Sequence, residues 1–182
     1  MTQVQVKPRK TVDDYMKLPE GTLAELIDGE IFRSPSPRAR HQRIVQRIFI
    51  LLNDHVFQSG KGEVFISPFD VHLPQDHIVQ PDVIFVSSGK KEIVKDWIYG
   101  VPDLLVEVLS PESPERDAIV KRDLYAQAGV PEYWIADGAA RSIQVLRLSG
   151  TRYEAAGYFR EGEMLTSSIL PELSFPLSKV FA

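Results

Sequence analysis

The run DLLVEVL at residues 103–109 constrains the fold more than any other stretch of the chain: it is almost continuously apolar and carries one acid in its interior. Too short for a core helix and rich in β-branched and aliphatic residues, it reads as a central strand covered on both faces. Glu107 then sits where an isolated charge is unfavourable, so it must be protonated, paired or bound to a cation. A second acid has a similar setting: Asp82 follows Pro81 and opens the apolar run VIFV. If the two strands are neighbours, their carboxylates converge and repel unless a cation lies between them. Hard divalent ions such as Mg2+ or Mn2+ prefer such oxygen ligands. The alternative is structural, with Asp82 capping a turn and Glu107 paired to an arginine.

The rest of the chain supplies elements to surround such a strand. Apolar residues at Ile44, Val45, Ile48, Phe49, Leu51, Leu52 and Val56 recur in steps of three and four, which predicts a helix over 38–58 stopped at Gly60 and Gly62. A second helix is expected from a Ser113–Pro114 cap through Ala128, ended by Gly129 and Pro131. Asp28-Gly29 between apolar runs predicts a tight hairpin over 24–33. Further strands are expected at 63–67, 69–73, 82–86, 132–136, 142–148, 153–159 and near Met164. The economical architecture is mixed α/β: one domain over 1–182, with a central mixed sheet flanked by helices, each covering one face.

Composition narrows the chemistry. The chain has no cysteine, which excludes thiolate zinc sites, iron–sulfur clusters, disulfides and a cysteine nucleophile. Any metal must use oxygen or imidazole. No phosphate-loop glycine motif, Gly-x-Ser-x-Gly elbow or zinc-protease helix motif is present. Residues 1–10 lack an apolar export segment, so the expectation is a cytoplasmic protein.

Charge is uneven. Residues 33–47 carry Arg33, Arg38, Arg40, Arg43 and Arg47 with no acid, against a balance of −9 elsewhere. Arg38, Arg40, Arg43 and Arg47 form either a surface for nucleic-acid phosphates or a solvated helix face matched by charges across space. Asp117, Lys121 and Tyr125 are spaced four apart and share a helix face, where Lys121 either projects over the strand ends or pairs with Asp117 on a wet surface. His41 either meets a phosphate or water or is hydrogen-bonded locally. His72 and His77, flanked by Asp70 and Asp76, lack chelate spacing across Pro74, and an exposed hairpin is expected there. Trp97, Tyr99, Tyr133 and Trp134 are candidates for stacking on bases, but two of them lie beside strand and turn signals that explain them as packing.

Taken together, the strings AELIDGEI (24–31), RHQRIV (40–45), QPDVIFV (80–86), VPDLLVEVLSPES (101–113) and RDAIVKRDLYAQAGVPEYWIAD (116–137) resemble the Uma-two family of restriction endonucleases, in the same order over most of the chain. That family is similar in fold to the PD-(D/E)XK nucleases. The resemblance implies a restriction-endonuclease-like core, metal-dependent hydrolysis of nucleic acid (DNA ahead of RNA), and Mg2+ or Mn2+ bound by Asp82 and Glu107. It implies Lys121 as the catalytic lysine, because Leu109 occupies the position two after the glutamate where the superfamily usually has one. Glu25, in AELIDGE, is an accessory carboxylate candidate and His41 another accessory residue. A homodimer would suit duplex cutting. Two other classes remain open at this level: a nuclease fold without activity, recorded in Leu109, and an all-β metal or small-molecule barrel, against which the two helical segments count.

Overall fold

A computed structural model describes residues 8–110 and 119–182. The run around Glu107 forms β8 (Leu104–Val108), with all five residues buried. It lies inside a six-stranded mixed sheet with β3 (Gly62–Ile66), β6 (Val83–Ser87), β9 (Glu132–Asp137), β10 (Ser142–Ser149) and β11 (Arg152–Arg160), ordered β11-β10-β9-β8-β6-β3. β8 and β9 run parallel, and the remaining neighbours are antiparallel.

Strand alternation assigns the two faces. Leu104, Val106 and Val108 point toward α2 (Ala39–Ser59), which contributes Ile44, Val45, Ile48, Leu52 and Val56 to the same core. The periodicity read from the sequence is therefore the buried stripe. Gly60, at φ 63°, ends this helix in the left-handed conformation that glycine adopts without a Cβ penalty. The short hairpin β12 (Met164–Thr166) and β13 (Ser174–Pro176), with α4 (Ser178–Phe181), closes this layer.

The opposite face carries the expected helix and, beside it, a second sheet that the sequence reading did not anticipate. Leu105 packs against α3 (Lys121–Ala128) through Leu124 and Tyr125, and also against a second sheet. That sheet contains β1 (Ala24–Ile27), β2 (Glu30–Arg33), β4 (Val71–Leu73), β5 (His77–Val79) and β7 (Ile98–Tyr99), ordered β2-β1-β5-β4-β7. Its strands are three or four residues long, or two in β7, too short to reveal from periodicity alone which sheet they join. α1 (Val12–Met16) covers its outer side, with Tyr15 packed against Ala24, Leu26 and Ile78. Asp28 and Gly29, at φ 52° and 76°, form the expected tight turn between β1 and β2.

The β4–β5 hairpin is not exposed: it lies between β1 and β7, and His77, Ile78 and Val79 are all buried. His72 pairs with Ile78, so His72 and His77 point to opposite faces and cannot share an ion. Tyr133 and Trp134 are fully buried, and Trp97 and Tyr99 pack with His72. The helices α2 and α3 rule out the all-β barrel. No helix among the described residues is long and apolar enough to cross a membrane. Ser113, Pro114 and Asp117, read as a helix cap and an ion-pair partner, lie outside the described residues.

Candidate active site

The site lies between the two sheets, where the alternation of three strands directs acids into one space. On β1, Ala24 and Leu26 face α1, so Glu25 points the other way, toward the six-stranded sheet. On β8, Glu107 shares a face with Leu105 and looks into the same gap. β6 and β8 pair through Val83↔Val106, and one further step of that antiparallel register sets Asp82 opposite Glu107. All three carboxylates are buried.

Their partners come from the helices. Lys121, the first residue of α3, places its ammonium 2.8 Å from Glu107 Oε1 and 2.8 Å from Glu25 Oε1. One turn later, the Tyr125 hydroxyl donates to Glu107 Oε1 at 2.7 Å. Burial, together with the neighbouring Glu107 and Glu25, raises the Tyr125 phenol well above its ordinary value, so it serves as a fixed donor. Asp82 Oδ2 accepts from the Val108 amide at 2.8 Å and lies 3.3 Å from His41 Nε2, at the start of α2. Glu25 Oε1 also accepts from the Gln80 amide at 3.0 Å. The Gln80 side chain and the Tyr15 hydroxyl both donate to Asp70 Oδ1, at 2.8 and 3.1 Å, and brace the segment leading into Asp82.

Glu25, Asp82, Glu107 and Lys121 carry a formal charge of −2 with His41 neutral. Glu25 Oε2 is buried with no hydrogen-bond partner, and Asp82 Oδ1 has none among the described residues. Hard oxygen donors, a net double negative charge and an orphaned carboxylate oxygen fit a divalent cation. Among the described residues no three acids or imidazoles form a ready-made cage, so water or a substrate oxygen would complete the coordination shell.

The family model Uma2, whose description reads "Putative restriction endonuclease", matches residues 12–178. The chain belongs to this family. Curated proteins give no match. The Uma2 chain is similar in structure to a protein titled "putative nuclease belonging to DUF820" from Anabaena variabilis ATCC 29413, with a TM-score of 0.79 and 21% identity over 94% of this chain and 97% of that one. At this identity the likeness establishes the shared fold alone. The family's description is what points to nuclease function.

Within this Uma2 chain the structure brings Asp82, Glu107, Lys121, Glu25 and His41 into one cluster. Lys121 is buried between carboxylates, not set on a wet surface. His41 reaches Asp82 rather than a purely local partner. The arginines are divided: Arg40 donates to the Gly138 carbonyl, and Arg47 donates to the carbonyls of Val180, at 3.2 Å, and Ala182. Arg38 and Arg43 are exposed. Sequence reasoning placed Tyr125 on the lysine's face without assigning it a role, although its spacing four residues after Lys121 is the signal for one. The Tyr15–Asp70–Gln80 brace left no such signal, since its members are 10 to 65 residues apart.

Proposed function

We propose that this Uma2 protein is a divalent-metal-dependent endonuclease that hydrolyses phosphodiester bonds of nucleic acid, with Asp82 and Glu107 as ligands for Mg2+ or Mn2+. The observation that carries this reading is the buried Lys121, held at 2.8 Å from Glu107 across the sheet position that faces Asp82. It offers a cation near the position where Leu109 cannot, which supports an active enzyme over an inactive module. The family's description as a restriction endonuclease supports DNA over RNA.

The residues divide the work. When bound, the metal supplies a Lewis acid for the phosphate and lowers the pKa of a coordinated water. Asp82, tied at Oδ2 to the Val108 amide and to His41, offers Oδ1 as a ligand. Tyr125 and Lys121 fix Glu107 at Oε1, so its carboxylate does not swing away. Lys121, with both of its anchors buried, holds a preorganised positive charge beside the position where phosphorane charge develops. Glu25 acts through Lys121 and through its unpartnered oxygen. Arg38 and Arg43 contact backbone phosphates on the approach, a salt-dependent contribution poor in sequence information.

The test starts with calorimetric titration of Mn2+ into metal-free protein, followed by incubation with supercoiled plasmid DNA and, in parallel, structured RNA. Asp82→Asn and Glu107→Gln are expected to lose both metal binding and cleavage while keeping the wild-type circular dichroism. Lys121→Met is expected to retain metal binding and lose cleavage by about 100-fold or more. Cleavage retained in a well-folded Asp82→Asn protein overturns the assignment.

A further inference from the structure

The end of the molecule remote from the site carries a surface that the nuclease reading does not use. Phe57, in the last turn of α2, is 82% exposed. Ile50, seven residues earlier and so on the same helix stripe, is 46% exposed. Beside Phe57 lies a groove of about 260 Å³, lined also by Gly60, Gly62, Glu63, Val86 and Lys91. The two glycines leave its floor without side chains. At Gly62 the close approach of β6 enforces this, because a Cβ there would stand 2.1 Å from the Val86 carbonyl oxygen.

We propose that this groove is the interface with a second copy of the chain, arranged about a twofold axis with Phe57 of each copy seated in the groove of the other. A twofold interface must be complementary to itself, and this surface has both halves of two matching pairs. It presents an aromatic knob next to a socket, and it sets Glu63 and Lys91 along the same groove. Neither of those two charges has a side-chain partner among the described residues, so each is available to the opposite charge of a second copy. This local balance also offsets the repulsion between two chains of net charge −4.

The position of the groove sets where the two sites lie in such a dimer. His41 and Phe57 lie at opposite ends of α2, sixteen residues or roughly 24 Å apart. Asp82 and Ser87 likewise mark opposite ends of β6. Both sites of the dimer therefore lie away from the shared interface. Neither copy completes the site of the other.

Sedimentation velocity on the full chain over a dilution series tests the interface, separately from any cleavage assay. The expected result is a reversible dimer. Phe57→Glu should raise its dissociation constant by about 100-fold or more, since each of two buried rings contributes roughly tenfold. Glu63→Lys should weaken the dimer, and adding Lys91→Glu should restore it. Phe57 is solvent-exposed, so unchanged circular dichroism is expected for its variant, and the charge swap reads the same interface without touching the ring. A chain that stays monomeric at the highest concentration overturns the proposal. So does a dimer that Phe57→Glu leaves intact, or a charge swap that fails to restore association.

Discussion

Lys121 shows how much one side chain depends on its setting. In sequence it is a helix lysine with an acid four residues before it, a pattern usually worth a few tenths of a kcal/mol. In the fold its ammonium is buried between Glu25 and Glu107, where loss of the lysine would strand two carboxylates. His77 is a second case. Its Nδ1 accepts from the Asp28 amide at 3.3 Å, which requires the neutral ring. Burial holds the imidazole below its ordinary value, opposed in part by Asp28. The unfolded chain therefore binds the proton more readily, so the stability contribution is complete above an unfolded pKa of about 6.5 and is lost as pH falls through the lower folded value. Urea unfolding is expected to show stability declining between about pH 7 and pH 5. His77→Gln should flatten part of that slope, the remainder coming from His72, which burial also lowers. A slope identical in the variant would show that His77 titrates alike in both states.

At the scale of elements, β9 is held by a residue that the sequence marks only as a strand start. Glu132 is fully buried. It accepts from Trp134 Nε1 at 2.8 Å, the Ser167 hydroxyl at 2.7 Å and the Ser168 amide at 2.7 Å, and also from the Ser168 hydroxyl. One carboxylate thus fastens the strand carrying Trp134 to the segment following β12. Replacing Glu132 with Ala leaves several donors buried without an acceptor and should cost about 3 kcal/mol or more in chemical denaturation. A loss below about 1 kcal/mol would mean that the 167–168 segment relaxes enough for water to reach those donors. α2 offers the contrasting case. Its buried stripe and its glycine stop were both legible, because periodicity and capping are local properties. The fate of its arginines was not: Arg40 and Arg47 are tied to carbonyls about 98 and 133 residues away or more, pairings no local pattern records.

For the whole molecule, the site gathers residues from both sheets and from two helices, so binding there should stabilise the folded chain as a unit. An ion that binds the folded state and not the unfolded one adds about 2.7 kcal/mol at a hundredfold excess over its dissociation constant. Mn2+ is accordingly expected to raise the thermal midpoint of the wild-type protein and to leave that of Asp82→Asn unmoved at equal ionic strength, read by scanning calorimetry. Equal shifts in both proteins would place the ion elsewhere on this acidic chain.

By itself the sequence determined the buried strand with its acid, the amphipathic course of α2, the Asp28-Gly29 turn, and Asp82 and Glu107 as the acids out of place in apolar surroundings. Each follows from residues within a few positions of one another, whose backbone preferences and alternation are set locally. Tertiary structure alone decided that a second sheet shares a face with α3, that Glu25 and Lys121 meet Glu107, that two arginines are committed to carbonyls, and that Phe57 stands exposed beside a groove. These outcomes depend on which short strands pair across long stretches of chain. Strand pairing is governed by the burial and register of the assembled layers, and not by the sequence near any one residue.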